Sequence, residues 1–88
     1  MVARRIVIHG TVQGVGFRYW LRDAAKSRGV NGWVRNCRDG TVEAVVEGDG
    51  EAIDSLLRVC ADGPRGAVVA RVDVSDEAPS GLEGFAIH

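Results

Sequence analysis

The spacing of apolar residues switches repeatedly between a strand-like and a helix-like period, and this order constrains the fold more than any other feature of the chain. A two-residue period predicts strands and a three-to-four-residue period predicts helices. Strands are predicted over residues 4–12, 33–37, 41–47 and 68–74. Helices are predicted from Phe17 to a stop at Gly29 and from an N-cap at Asp49 to Gly63. The order β-α-β-β-α-β is that of the split β-α-β, or ferredoxin-like, fold.

This order predicts an α+β fold, in which a four-stranded antiparallel sheet carries both helices on one face. A short fifth strand at the C-terminal edge is compatible with residues 85–87. Asn31-Gly32 is predicted to form a turn, and Asp39-Gly40 a tight hairpin turn with both residues at positive φ. Because this fold hosts many unrelated activities, the function has to be argued from particular residues.

Length and composition indicate one small soluble domain. The 88 residues are predicted to form a single domain, 1–88, with 45% hydrophobic and 26% charged residues. No apolar run approaches the roughly 18 residues of a membrane span, and no apolar signal-peptide stretch follows Met1. We therefore expect a cytoplasmic protein without a membrane or nucleic-acid partner, and a monomer. Two cysteines and two well-separated histidines offer little to a metal site, so neither a metal nor another cofactor is expected.

Charge is unevenly distributed along the chain, although the net charge is only −1. Residues 1–38 contain eight of the eleven basic residues and a single acid, Asp23, whereas residues 39–88 contain eleven acids. Such asymmetry can mark a surface that handles anions. It is equally compatible with two halves that interleave in the fold so that their charges pair.

The segment GTVQGVGFR (10–18) places a glycine-rich turn between the first strand and the first helix. Backbone N–H groups in such a turn can converge on an anion, and the helix N-terminus adds further donors. Arg18 lies in the first helical turn, where its planar guanidinium suits phosphate oxygens. The simpler alternative is a glycine-rich turn with a surface arginine. The segment fits neither the Walker loop nor the dinucleotide-binding fingerprint.

The segment GWVRNCRDGTVE (32–43) places Asn36 just before the predicted hairpin turn. A side-chain amide both donates and accepts hydrogen bonds, so Asn36 could orient a water molecule. Alternatively, Asn36 simply begins the turn.

Taken together, these two segments resemble the two signature motifs of the acylphosphatase family, and the resemblance extends to element order over nearly the whole chain. It implies the ferredoxin-like fold and metal-independent hydrolysis of acyl phosphates to a carboxylate and inorganic phosphate. It also implies that Arg18 binds the phosphate and that Asn36 orients the attacking water. The phosphate-cradling loop of the family falls on Gln13, Gly14, Val15, Gly16 and Phe17. The position of Arg38 is variable in the family, and a bulky residue there could alter substrate choice.

Two other functions fit the same fold. A non-catalytic module that binds phosphate or carbamoyl phosphate would share the loop, as in the acylphosphatase-like domains of larger hydrogenase-maturation proteins. A nucleic-acid binder would need aromatic residues on the central strands and a basic sheet face. The predicted central strands instead carry small aliphatic residues together with Glu43 and Glu47.

Residues 60–65 have a superficial likeness to the loop of cysteine phosphatases. Only four residues separate Cys60 from Arg65, where that loop has five. The cysteine also lies at a predicted helix C-terminus, where the helix dipole disfavours a thiolate. We therefore expect Cys60 to be a core residue.

Overall fold

The computed structural model describes all 88 residues and has the predicted element order, including the short fifth strand at residues 85–87. Its strands and helices are β1 (Val2–Thr11), α1 (Phe17–Lys26), β2 (Asn31–Asn36), β3 (Val42–Gly48), α2 (Gly50–Cys60), β4 (Val68–Glu77) and β5 (Phe85–Ile87). The sheet order is β4-β1-β3-β2-β5. β1 pairs antiparallel with β3 and β4, and β3 pairs antiparallel with β2. The α+β ferredoxin-like prediction is confirmed for these four strands.

The sheet as a whole is mixed rather than antiparallel, because β5 runs parallel to β2. β4 lies at one edge of the sheet and β5 at the other. The chain therefore crosses the width of the sheet between these strands and enters β5 in the direction of β2. Residues 78–84, which make this connection, are called the crossover segment below.

One face of the sheet packs against both helices and forms the core. From the sheet, the core receives Ile6, Ile8, Val34, Val42, Ala44 and Val46, and from the helices Phe17, Leu21, Ala25, Ile53, Leu56 and Cys60. All of these side chains are 2% exposed or less. The even-numbered strand residues share a face because side chains alternate along a strand. Neither helix, of ten and eleven residues, is long and apolar enough to cross a membrane.

The opposite face of the sheet pairs the basic first half of the chain with the acidic second half. Glu43 on β3 contacts the guanidinium of Arg5 and accepts from Arg35, whose Nη2 lies 2.6 Å from Glu43 Oε1. Arg5 also pairs with Glu77 on this face. On the helix-covered side of the same sheet, the Arg4 guanidinium lies 3.5 Å from Asp76. For these arginines, the alternative of interleaved, paired halves is the correct one.

The hairpin between β2 and β3 differs from the predicted turn. Gly40 N donates to Cys37 O (3.2 Å) and Cys37 N donates to Thr41 O (2.8 Å), which defines a three-residue loop, 38–40. Only Gly40 has positive φ (+92°), and Asp39 does not. This is a type I turn followed by a left-handed glycine, which allows Asp39 to retain ordinary backbone angles.

The pairing of β1 with β4 is irregular near its end. An irregularity between His9 and Gly10 shifts the pairing of β1 with β4, so that Gly10 lies opposite Val69. Val69 therefore packs towards the core, whereas Val68 is 65% exposed. A Cβ at Gly10 would lie 2.1 Å from Val68 O, so this close approach of the two strands requires glycine.

One smaller prediction of local structure is wrong and another is confirmed in part. Asn31 and Gly32 are not a turn but the first residues of β2, paired with Glu47 and Val46, so pairing between strands overrides their turn preference. Asp49 is the N-cap residue of α2 as predicted, but its side chain makes no capping hydrogen bond.

Glu47 ties the crossover segment to the sheet. Its carboxylate accepts from Ser80 N and Gly81 N (both 3.1 Å), from Leu82 N (3.4 Å) and from the Ser80 hydroxyl (3.2 Å). Glu47 is only 1% exposed, so these four donors replace the hydrogen bonds to water that its carboxylate loses on burial. The Ser80 backbone N–H is the main cause that lowers the pKa of Glu47 below 4.5, with burial acting in the opposite direction.

We expect the contribution of Glu47 to stability to disappear in acid. A lowered pKa in the folded state stabilises the protein above pH 4.5, and this stabilisation is lost as the pH falls through the folded pKa. The Glu47→Gln variant should therefore be less stable than the wild type at pH 7, with a difference that shrinks towards pH 3. Urea unfolding of both proteins at several pH values measures this, and a difference independent of pH would contradict it.

Candidate active site

The turn between β1 and α1 is built around two left-handed glycines. Gly14 and Gly16 have φ values of +75° and +76°, a region that residues with a Cβ rarely adopt. Gly16 is the N-cap of α1, and Phe17, the first helical residue, is buried in the core and so anchors the turn. A Cβ added to either glycine would meet nothing within 4 Å, so this side of the turn faces open space.

Seven successive backbone N–H groups in and after this turn have no partner in the protein. None of the N–H groups of residues 13–19 donates a hydrogen bond; the first to do so is that of Trp20, to Gly16 O (3.0 Å). The first turn of α1 contains no acidic residue, and Gly16 has no side chain with which to cap the helix. These donors and the positive end of the helix dipole therefore favour a bound anion.

One pocket of about 140 Å³ lies at this turn. Its lining residues are Val12, Gly14, Gly16, Phe17, Arg18, Tyr19 and Asn36. The structure thus brings Arg18 and Asn36 together from separate elements, although 18 positions separate them in the sequence. The pocket is smaller than the usual site for a drug-sized ligand, so it suits one phosphoryl group and a water molecule.

Arg18 is held at the edge of this pocket by the C-terminal end of the chain. It is partly exposed, and its Nη1 donates to His88 O (2.8 Å). It forms no ion pair with an acidic side chain, unlike Arg4, Arg5, Arg22, Arg35 and Arg71. No acidic side chain therefore occupies the guanidinium, and its remaining donors are available to an anion.

Asn36 contributes a free amide to the same pocket. It is exposed at the C-terminal end of β2, directly before the hairpin loop, and its backbone pairs with Val42. Its side chain makes no hydrogen bond within the protein, so both its donor and its acceptor atoms are available to a ligand or a water molecule.

The side-chain amide of Gln13 has a different position. Its Nε2 donates to Cys37 O (2.7 Å) and to Thr41 O (2.9 Å) and so ties the turn to the hairpin that follows Asn36. The assignment of Gln13 to Phe17 as a phosphate-cradling loop stays a prediction. The side-chain amide of Gln13 is directed to the hairpin rather than the pocket, whereas its backbone N–H is among the free donors of the turn. Val15 packs against the core, and Gly14, Gly16 and Phe17 line the pocket.

The hairpin loop is itself held by an aspartate. Asp39 Oδ1 accepts from Thr41 N (3.0 Å) and from the Thr41 hydroxyl (2.6 Å). These bonds, led by that from the hydroxyl, hold the pKa of Asp39 below its usual value. The hairpin that Gln13 binds is therefore also stabilised by its own hydrogen bonds between Asp39 and Thr41.

Three residues of the site were not anticipated from the sequence. Val12 and Tyr19 line the pocket, and the His88 carbonyl binds Arg18. Val12 and Tyr19 flank the glycine-rich motif, so proximity to that motif could have suggested them. Nothing in the sequence points to His88, because the contact joins residues 70 positions apart and uses the backbone.

Cys60 lies outside the site and is buried. Desolvation raises the pKa of its thiol to about 12, which is the reverse of what a nucleophilic cysteine needs. Cys37 and Cys60 are both free thiols. No group of three or more His, Cys, Asp or Glu side chains is placed to hold a metal ion.

The chain is similar to known proteins over almost its full length. Residues 4–87 match the family model described as Acylphosphatase. An acylphosphatase of Thermococcus kodakarensis is 51% identical over 86 residues, which cover 98% of this chain and 94% of that protein. The crystal structure of acylphosphatase from Bacillus subtilis, 36% identical, superimposes with a TM-score of 0.97 and covers 100% of this chain and 99% of that one.

A longer protein contains a similar fold. The crystal structure of full-length HypF in the phosphate- and nucleotide-bound form is 30% identical in the matched region, with a TM-score of 0.93. The match covers 99% of this chain but only 12% of that one.

We expect Gln13→Ala to loosen the connection between the turn and the hairpin. Loss of two hydrogen bonds should lower the free energy of unfolding by about 1–3 kcal/mol, which urea unfolding measures. The matched control is Gln13→Glu, which keeps the length of the side chain but turns carboxylate oxygens towards two carbonyls. It should be at least as destabilising at pH 7. A Gln13→Glu variant as stable as the wild type would contradict this account.

Proposed function

This chain belongs to the acylphosphatase family and hydrolyses acyl phosphates, and we propose that it does so with Arg18 holding the phosphoryl group and Asn36 placing the attacking water. One observation carries the proposal. An arginine without an acidic side-chain partner, a run of unpaired backbone N–H groups and an unpaired amide meet in a single pocket of phosphoryl size. Each supplies a different requirement of phosphoryl transfer to water.

The chemistry of the substrate explains why so few groups are needed. Water attacks phosphorus, a P–O bond to water forms, and the P–O bond to the acyl group breaks with its electrons. The leaving group is a carboxylate, which is stable as an anion and needs no general acid. Phosphoryl transfer has a loose transition state, so catalysis rests mainly on position and charge stabilisation.

Arg18 and the turn N–H groups would supply the charge stabilisation. The guanidinium binds phosphoryl oxygens with its paired donors, while the N–H groups of the turn surround the remaining oxygens. These groups are placed before the substrate arrives, so little reorganisation is needed during the reaction. With this positive environment supplied by the chain, we propose that no metal or other cofactor takes part.

Asn36 would position the water. An amide is too weak a base to remove a proton at neutral pH, so it can orient the water through its carbonyl oxygen but cannot ionise it. We propose that the proton passes from the water to a phosphate oxygen of the substrate. Atoms and charge then balance without an enzyme-borne base.

The pocket indicates the class of substrate but not one acyl group. At about 140 Å³ it accommodates the phosphoryl group, so the acyl part would lie at the mouth. Tyr19, 54% exposed, lines that pocket, and Arg38 is exposed on the adjacent hairpin loop. We propose that small acyl phosphates of several kinds are accepted and that inorganic phosphate is bound as product.

We propose that the active form is a monomer. We also propose a cytoplasmic location, where acyl phosphates arise in metabolism. Light scattering at assay concentration tests the first statement, and fractionation of the cell tests the second.

The alternative is a module that binds phosphate or carbamoyl phosphate without hydrolysing it. The match to full-length HypF supports this alternative, because a domain of the same fold is there a small part of a much longer chain. A purified chain that binds phosphate through Arg18 but does not hydrolyse benzoyl or carbamoyl phosphate would support this alternative.

We expect Arg18→Ala and Asn36→Ala to impair different steps. Loss of one preorganised donor typically costs on the order of 100–1,000-fold in catalysis. Measured with benzoyl phosphate in chelator, Arg18→Ala should raise both KM and the inhibition constant of inorganic phosphate. Asn36→Ala should lower kcat with little change in phosphate inhibition. Folded variants with wild-type activity would overturn the proposed roles.

The pH dependence provides a separate test of the proton path. If the substrate phosphate takes the proton, kcat should show no enzyme-borne ionisation between pH 6 and pH 8. The control variants are His9→Gln and His88→Gln, which remove the only two histidines. A limb in the wild-type profile that disappears in either variant would show that the enzyme supplies the base.

A further inference from the structure

The position of Arg18 depends on a strand that is weak by itself. The arginine is held by His88 O, which follows directly after β5 (Phe85–Ile87). β5 is only three residues long, pairs on one side only, and pairs in parallel with β2. Short edge strands and parallel pairs contribute little stability of their own.

The C-terminal residues are held by β2 and by the core, against which Phe85 and Ile87 pack. His88 N donates to Val34 O (2.9 Å), and the His88 ring lies 5.9 Å from that of Trp33, between centroids. Both contacts lie on β2, so they set the direction of the last residues. They do not restrain the segment that leads into β5 from the far side of the sheet.

Glu47 supplies that restraint. The crossover segment (78–84) makes two connections to the sheet through hydrogen bonds. One is Gly32 N to Gly84 O (2.9 Å), and the other is the set of four bonds to the Glu47 carboxylate. Glu47 lies on the central strand β3, is 1% exposed, and is therefore a fixed point for the segment.

A carboxylate suits this position for a chemical reason. Three backbone N–H groups and one hydroxyl point at its two oxygens, and a carboxylate has acceptor sites for all of them and no donor to conflict with them. Glutamine would turn an NH₂ group towards some of the same donors, and alanine would leave all four unpaired.

We propose that Glu47 is a positioning residue for catalysis: by anchoring the crossover segment, it fixes β5 and hence the His88 carbonyl that holds Arg18 in the pocket. Glu47 does not touch the substrate and acts only through Arg18. The inference rests on the proposed role of Arg18 as the phosphate ligand.

The test compares Glu47→Ala with Glu43→Ala. Glu43 is a second buried glutamate on β3, four residues away on the same face, but it binds Arg5 and Arg35 rather than the crossover segment. Both variants are assayed well below their unfolding temperatures, with folding checked by the fluorescence of the two tryptophans. Loss of stability alone then leaves the kinetics of the folded enzyme unchanged.

In Glu47→Ala we expect the inhibition constant of inorganic phosphate and the KM for benzoyl phosphate to rise on the order of tenfold, the range seen for residues that act through a ligand-binding neighbour. In Glu43→Ala both should stay within about twofold of the wild type, since a change of that size is typical of residues outside such a network. Equal effects in the two variants, or none in Glu47→Ala, would overturn the proposal.

Glu47→Gln keeps one acceptor oxygen and should restore part of the phosphate affinity lost in Glu47→Ala. Should Glu47→Ala not fold, Glu47→Gln decides: an unchanged inhibition constant overturns the proposal and a raised one supports it.

A double-mutant cycle separates this proposal from the one on which it rests. If Glu47 acts through Arg18, Glu47→Ala should not weaken phosphate binding further in an Arg18→Ala background. An additive effect would show that Glu47 acts by another route and would overturn the inference alone. If Arg18→Ala itself leaves phosphate binding unchanged, the proposed role of Arg18 fails, and this inference fails with it.

Discussion

Backbone N–H groups that have no partner in the protein impose the main constraint on this structure. Such groups need water, a side chain or an anion, and the turn between β1 and α1 presents seven of them in succession. Left-handed conformations at Gly14 and Gly16 allow the backbone to adopt this shape, and Phe17 fixes it by burying its ring in the core. Folding therefore supplies the free energy that orients these N–H groups, so substrate binding does not have to. This is the condition for electrostatic preorganisation.

Two long-range connections place side chains around this turn. Gln13 spans from the turn to the hairpin and so sets the distance between the N–H groups and Asn36. The His88 carbonyl reaches Arg18 from the opposite end of the chain. Of two side-chain amides near the pocket, that of Gln13 thus uses its NH₂ group in structural hydrogen bonds, whereas that of Asn36 makes none within the protein.

The face of the sheet opposite the helices contains two buried glutamates that bind different partners. Glu43 binds two arginines of neighbouring strands, so two guanidinium groups neutralise its negative charge. Glu47 binds no cation and is stabilised by the backbone and hydroxyl of the crossover segment. The first joins strands within the sheet, while the second joins the sheet to the segment that leads to Arg18. Residues of the same type on the same face therefore affect different parts of the molecule.

Much of the fold and the outline of the site could be predicted from local sequence. The change of apolar period placed both helices and four strands, and two dense motifs marked the turn, Arg18 and Asn36. Predictions failed where pairing between distant strands decided the outcome. Pairing with β3 drew Asn31 and Gly32 into a strand instead of the predicted turn. The role of Gln13 was also missed, because its partners are backbone carbonyls 24 and 28 residues away.

The sequence by itself determined the elements and the chemistry-bearing residue types, because periodicity, glycine content and helix starts are local properties of the chain. Only the tertiary structure decided which donors remain free, that β5 runs parallel to β2, and that Arg18 is held from the C-terminal end. The physical reason is that a hydrogen bond between distant residues depends on distance and direction in space. Neither quantity is encoded in the spacing of residues along the chain.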